Sequence, residues 1–147
     1  MRMTELTDGG CRVIVVAVDK GEDAVEVVNE VAARSDVRGA RVTAVGGFRR
    51  AEVGYFDRDA RDYLRIPVAE QVEVLSLLGD VAESQGRPAL HVHAVLGRRD
   101  GSTVGGHLLR GEVWPTLEVI ISEVGGSLVK RVDPETGLAL LTATGRP

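Results

Sequence analysis

Three imidazoles carry the chemistry that this chain could perform. His91 and His93 stand one residue apart in Leu90-His91-Val92-His93, and His107 follows Gly105-Gly106; the sequence has no other histidine. Residues i and i+2 of a strand point to the same face, so a strand over Leu90–Leu96 puts His91 and His93 together. His107 falls on the next expected strand, Val104–Leu109, and register decides whether it joins them. A two-residue turn centred on Asp100-Gly101 would set Ala94 opposite His107 and send that ring to the other face. A three-residue loop, Arg99-Asp100-Gly101, would set His93 opposite His107. The second arrangement is a common hairpin, a type I turn closed by a residue in the left-handed conformation, and Gly101 stands where that glycine is needed. Three neutral nitrogens and an open position would then form the donor set of a catalytic-type zinc site. Iron, nickel, cobalt or copper would also accept it. The bland alternative is three unrelated strand histidines, each satisfied by its own hydrogen bond. Ligating rings need a partner for the second nitrogen. The nearest acids in sequence are Asp100, Glu118 and Glu123. Glu118 is the candidate orienting carboxylate and a candidate general base, although a plain strand carboxylate is the default.

The elements that must position these rings are mostly strands. Arg12–Val18 is a β-branched run and reads as a buried strand. Ala24, Val25, Val27, Val28, Val31 and Ala32 then recur at helical spacing, with Glu22, Asp23, Glu26 and Glu30 on the solvated side. From residue 40 the period changes to two. Arg41–Val45, Glu52–Phe56 and Tyr63–Val68 read as short strands, separated by Gly46-Gly47 and by the charged stretch Asp57–Asp62. Gln71–Leu78 fits helix or strand, with Gly79 ending it. Thr116–Glu123, Leu128–Val132 and a short Leu138–Thr142 complete the series. Strands so numerous and so close in sequence argue for a single α+β domain, a mostly antiparallel sheet with one or two packed helices. Residues 1–10 read as a flexible leader, 11–142 as the domain and 143–147 as a flexible tail.

Composition bounds the rest. The 147 residues fit one domain, 44% hydrophobic and 27% charged, which is ordinary for a globular chain. The single cysteine, Cys11, forbids an intrachain disulfide and excludes a multi-cysteine metal site. No apolar run approaches the roughly 20 residues of a membrane helix, and the start of the chain lacks the apolar middle of a signal peptide. Cytoplasm is the expected compartment and no membrane partner is expected. The formal net charge is −4, so no global field draws the chain to nucleic acid.

Several segments together resemble one family. They are Gly46-Gly47-Phe48-Arg49-Arg50-Ala51-Glu52-Val53-Gly54-Tyr55-Phe56-Asp57, Glu73-Val74-Leu75-Ser76-Leu77-Leu78-Gly79-Asp80, Pro88-Ala89-Leu90-His91-Val92-His93, Gly105-Gly106-His107-Leu108 and Glu118-Val119-Ile120-Ile121. The resemblance is to the PPC domain, the plants-and-prokaryotes-conserved family, and it covers roughly residues 10 to 142. The order H-x-H then G-G-H is its most specific part. Asp80 stands where the family pattern would have Asn, a departure expected not to touch the histidines. The resemblance implies a PPC-like α+β fold assembled as a homotrimer, and a stand-alone domain of the bacterial and archaeal kind. It also implies a DNA-binding or regulatory role, and a metal, usually zinc, on the histidines that match His91, His93 and His107.

A DNA role needs a basic surface or a reading element. Gly86-Arg87-Pro88 and Gly145-Arg146-Pro147 lack the leading Arg and the basic flanks of an AT-hook. Arginines from Arg34 to Arg65 are interleaved with Asp36, Glu52, Asp57, Asp59 and Asp62, which reads as a salt-bridged surface. Trimerisation could still gather Arg49-Arg50 or Arg98-Arg99 into a basic ring, and these four are the candidate nucleic-acid contacts. A hydrolase or lyase is the alternative reading of the same histidines, since a bound divalent ion polarises carbonyls and lowers the pKa of water to about 7. A small-ligand-binding trimeric regulator is the third. The apolar stretch Val113–Val124, with Trp114 and Pro115 near its start, reads as core or subunit interface.

Overall fold

The computed structural model describes residues 1–142. Within them the chain runs β1 (Arg2–Asp8), β2 (Cys11–Val18), α1 (Ala24–Arg34), β3 (Gly39–Asp57), β4 (Asp62–Val68), β5 (Val72–Ser84), β6 (Arg87–Gly97), β7 (Thr103–Glu123), β8 (Val129–Val132) and β9 (Ala139–Thr142). All pairings are antiparallel except the β5–β8 contact at Glu83 and Val129. The sheet order is β1-β2-β7-β3-β5-β8-β9, with β4 on β3 and β6 bridging β5 and β7. Strands β3, β5, β6 and β7 therefore close a ring of pairings. Among the described residues no helix is long and apolar enough to cross a membrane.

One helix forms where one or two were expected. Its apolar positions Ala24, Val27, Val28, Val31 and Ala32 are buried, and α1 packs on β6 and β7. Asp23 was expected among the solvated acids but is the N-cap. Its Oδ1 accepts from Val25 N at 3.0 Å and Glu26 N at 3.1 Å, satisfying two otherwise orphaned donors. Arg34 in the last turn reaches Glu30 at 3.2 Å. The core fills the space between helix and sheet, with Ile14, Val16, Val42, Phe48, Leu96, Leu117 and Ile121 fully buried.

Three expectations are corrected. Residues 2–8 are a strand, Arg2↔Ala17 to Asp8↔Cys11, and not a loose leader. Their side chains are exposed, so backbone pairing alone holds them and no apolar pattern announces it. Gly46-Gly47 and Gly79 do not end strands. β3 runs through the pair with a bulge between Ala44 and Gly46, where Gly46 adopts φ +147° and a Cβ would run into the Thr116 carbonyl. The expected strands Val104–Leu109 and Thr116–Glu123 are likewise one strand, β7. In the stretch Val113–Val124, Val113, Leu117, Val119 and Ile121 belong to the core, while Ile120 and Val124 are exposed. The expected tail, 143–147, with Gly145-Arg146-Pro147, lies outside the described residues.

Candidate metal centre

The β6–β7 hairpin has the three-residue loop. Arg98 N donates to Ser102 O at 2.8 Å, Gly101 N to Arg98 O at 3.0 Å, and Gly101 takes φ +83°. A side chain there would be strained, which is why the loop wants glycine. Register follows from the loop, and His93 lies directly across from His107. The helix helps to place β6: Asn29 Nδ2 bonds Val25 O at 3.0 Å while its Oδ1 accepts from Leu90 N at 3.2 Å, one residue before His91. Val92, Ala94 and Leu96 face the core, which leaves His91 and His93 on the outer face.

The rings converge. One ring nitrogen from each of His91, His93 and His107 lies within 4.8 Å of the others. Ring centroids are 5.1, 5.2 and 5.5 Å apart, and His91 Nε2 stands 3.2 Å from His93 Nε2. Nitrogens bound about 2.0–2.1 Å from a tetrahedral ion lie about 3.3–3.4 Å apart, close to that spacing. His107 is flanked by Tyr63 of β4, stacked at 4.8 Å and 23°. Gly54, across from His107 on β3, leaves room for the Tyr63 ring, which a Cβ would strike. Burial pushes the His107 pKa down to about 4, with His91, His93 and Lys130 adding to the shift. Burial, then His91, also lowers that of His93. Both rings are thus neutral near neutral pH and keep a lone pair to donate. The Nδ1 of His107 is buried and lacks a hydrogen-bond partner, so it still calls for one. The donor set, its spacing and this orphaned nitrogen fit a divalent transition ion.

None of the acids nearest in sequence orients the rings. Asp100 caps the loop tip, accepting from Ser102 N at 2.9 Å and Ser102 Oγ at 2.6 Å. Glu123 pairs with Arg12 at 2.7 Å. Glu118 is exposed at the other end of β7, between Ala17 and Val45. The carboxylate beside the cluster is Asp80, which was expected not to touch it. Asp80 is the cross-strand partner of His91, and its Oδ2 lies 3.6 Å from His91 Nδ1. Its Oδ1 lies 2.6 Å from Nζ of Lys130, the buried charged residue among those described. Burial pushes the Asp80 carboxyl up, but the contacts with His91 and Lys130 outweigh it and hold it below the usual range. The sequence signal was parity across β5 and β6, and ending β5 at Gly79 hid it.

The candidate arginines do not join the cluster. Arg50 pairs with Glu112 at 2.6 Å and Arg49 with the same carboxylate at 3.4 Å, and Arg98 pairs with Glu70 at 3.2 Å. Arg99 is exposed at the loop tip. Gly86-Arg87-Pro88 is the β5–β6 turn and the start of β6, with Pro88 opposite Glu83.

A helix-backed, nearly all-β domain with three imidazoles gathered on its open sheet face is a small α+β protein built around a candidate cation centre. The chain belongs to the Plants and Prokaryotes Conserved (PCC) domain family, whose model matches residues 6–125. It is similar to the metal-containing protein of Archaeoglobus fulgidus, at 29% identity and TM-score 0.82, over 97% of this chain and 99% of that one. A plant- and prokaryote-conserved protein of Pyrococcus horikoshii matches at 25% identity and TM-score 0.84, over 99% and 97%. A Bacteroides thetaiotaomicron protein, provisionally named DNA-binding, shares the fold at 18% identity and TM-score 0.85, over 95% and 96%. No curated protein sequence matches the chain.

Proposed function

We propose that the chain is a cytoplasmic PPC-domain protein of the DNA-binding, regulatory kind. In this reading it binds one divalent transition-metal ion, zinc before the others, on His91, His93 and His107. The observation that carries the proposal is the convergence of one nitrogen from each ring within 4.8 Å. The name of the Archaeoglobus relative, a metal-containing protein, agrees with it. A bound ion would supply Lewis acidity at one open position. The protein's own part is to hold three imidazole donors on paired strands, with His107 shielded by Tyr63.

The working assembly in this proposal is a homotrimer. Val45, Leu75, Leu78 and Ile120 are each 44–58% exposed and line one broad groove on the outer sheet face, and Leu78 lies across from His93. Apolar surface of that kind marks an interface. DNA contact rests on the names of the Bacteroides relative and of a Ralstonia eutropha one, provisionally called DNA-binding as well. It would fall to Arg49, Arg50, Arg98 and Arg99 brought together by the threefold assembly, because within one chain three of the four share their charge with acids.

Metal analysis of protein purified without a histidine tag tests the centre. About one ion per chain is expected, lost in His91→Ala and in His107→Ala; wild-type protein that holds no ion after zinc loading and desalting would reject it. A mobility-shift titration across salt tests the DNA part. A steep salt slope that flattens in an Arg49→Ala/Arg50→Ala variant supports it, and no retention at low salt removes it.

A further inference from the structure

The sheet face holds one charged device that the proposed centre does not itself require, the pair Asp80–Lys130. Lys130 is 6% exposed and lies on β8, next to β5 in the sheet. A buried ammonium is retained only when it is paired, and its partner is Asp80 Oδ1 at 2.6 Å. That atom is buried and has no conventional hydrogen bond, so the ammonium is what answers it. The second oxygen, Oδ2, is thereby turned toward His91 Nδ1 at 3.6 Å. This is longer than a hydrogen bond, yet a carboxylate at that distance already favours a proton on Nδ1 over one on Nε2. The opposite nitrogen of the ring, Nε2, is the one facing His93 Nε2.

We infer that Asp80, anchored by Lys130, is a positioning residue that fixes the His91 tautomer, Nδ1–H toward β5 and the Nε2 lone pair toward His93 and His107. The tautomer part stands on the geometry alone; its use in metal binding rests on the function proposed above. The Lys130–Asp80–His91 line spans three adjacent strands, β8, β5 and β6.

The test uses the full chain, first stripped of metal and then titrated with zinc. Long-range ¹H–¹⁵N spectra report the tautomer of each histidine, and competition with a chromophoric chelator reports zinc affinity. The informative variant is Asp80→Leu/Lys130→Met, because exchanging a buried ion pair for apolar groups of similar size usually preserves folding. In wild type, His91 is expected as the Nδ1–H form. The double variant is expected to show mixed tautomers and a zinc affinity lower by about 10–100-fold. Asp80→Asn has a single oxygen, which the Lys130 ammonium claims, so its NH2 turns toward His91 Nδ1; this variant is expected to lose the Nδ1–H form and to bind zinc more weakly by at least about tenfold. If the double variant keeps wild-type tautomers and affinity, the inference is overturned. It is also overturned if Asp80→Asn keeps the Nδ1–H form. If wild type binds no zinc but the tautomers divide as described, the positioning role stands and the metal reading falls.

Discussion

Acidifying the metal-free chain isolates what it costs to bury a histidine beside two others. His107 is stacked on Tyr63, and its pKa is pushed from 6.5 down to about 4 by burial, by His91 and His93, and by Lys130. Between those values the unfolded chain binds a proton that the folded chain refuses, so stability rises with pH. The contribution is fully present above about pH 6.5 and is lost as pH falls toward about 4. At about 1.4 kcal/mol per unit, the gap from 6.5 to about 4 corresponds to about 3 kcal/mol over the whole window. Some 2 kcal/mol of that should vanish between about pH 7 and pH 5. His93, also lowered, adds in the same direction. Asp80, Asp100 and Glu112, held below the usual carboxylate range, lose their contributions only at still lower pH. The assay is urea unfolding followed by circular dichroism, in chelator, at three pH values across the window. His107→Phe keeps an aromatic ring against Tyr63 and should flatten the slope by about 2 kcal/mol over those two pH units. Equal slopes in wild type and variant would refute the reasoning.

Three further outcomes are expected. Asp23→Ala removes the cap of α1 and should cost about 1–2 kcal/mol of unfolding free energy in urea. Gly101→Val forces a β-branched residue to φ +83° and should cost at least about 1–2 kcal/mol while weakening zinc binding, since the loop sets the His93–His107 register. Leu78→Glu places a charge in the apolar groove beside His93 and should convert the proposed trimer to monomer by light scattering; an unchanged mass would clear that face of the interface role.

The histidine ribbon was legible in the sequence because loop length fixes register, and one glycine at the left-handed position fixed the loop. The same glycine rule misled elsewhere. Gly46, Gly47 and Gly79 read as breaks because glycine weakens strands, yet here each lets another backbone pass at close range. A Cβ on Gly79 would collide with the His91 carbonyl, so the residue that seemed to end β5 is the one that lets it lie against the histidine-bearing strand. Asp80 was missed as a consequence. Lys130 and Tyr63 could not have been found from spacing, since their nearness to the histidines depends on sheet order. Residues 2–8 carry only two apolar side chains, Met3 and Leu6, three positions apart and both exposed, so hydrophobic periodicity carried no information about their pairing.

Closing a hairpin across three residues costs little chain entropy, whereas joining Val18 to Leu117 must draw distant parts of the polypeptide together. During folding the ribbon bearing His93 and His107 is therefore favoured to zip before β2 finds β7. In a nascent or refolding molecule two of the three imidazoles thus meet while most of the core is still being assembled, so the candidate site is half-built ahead of the fold that encloses it.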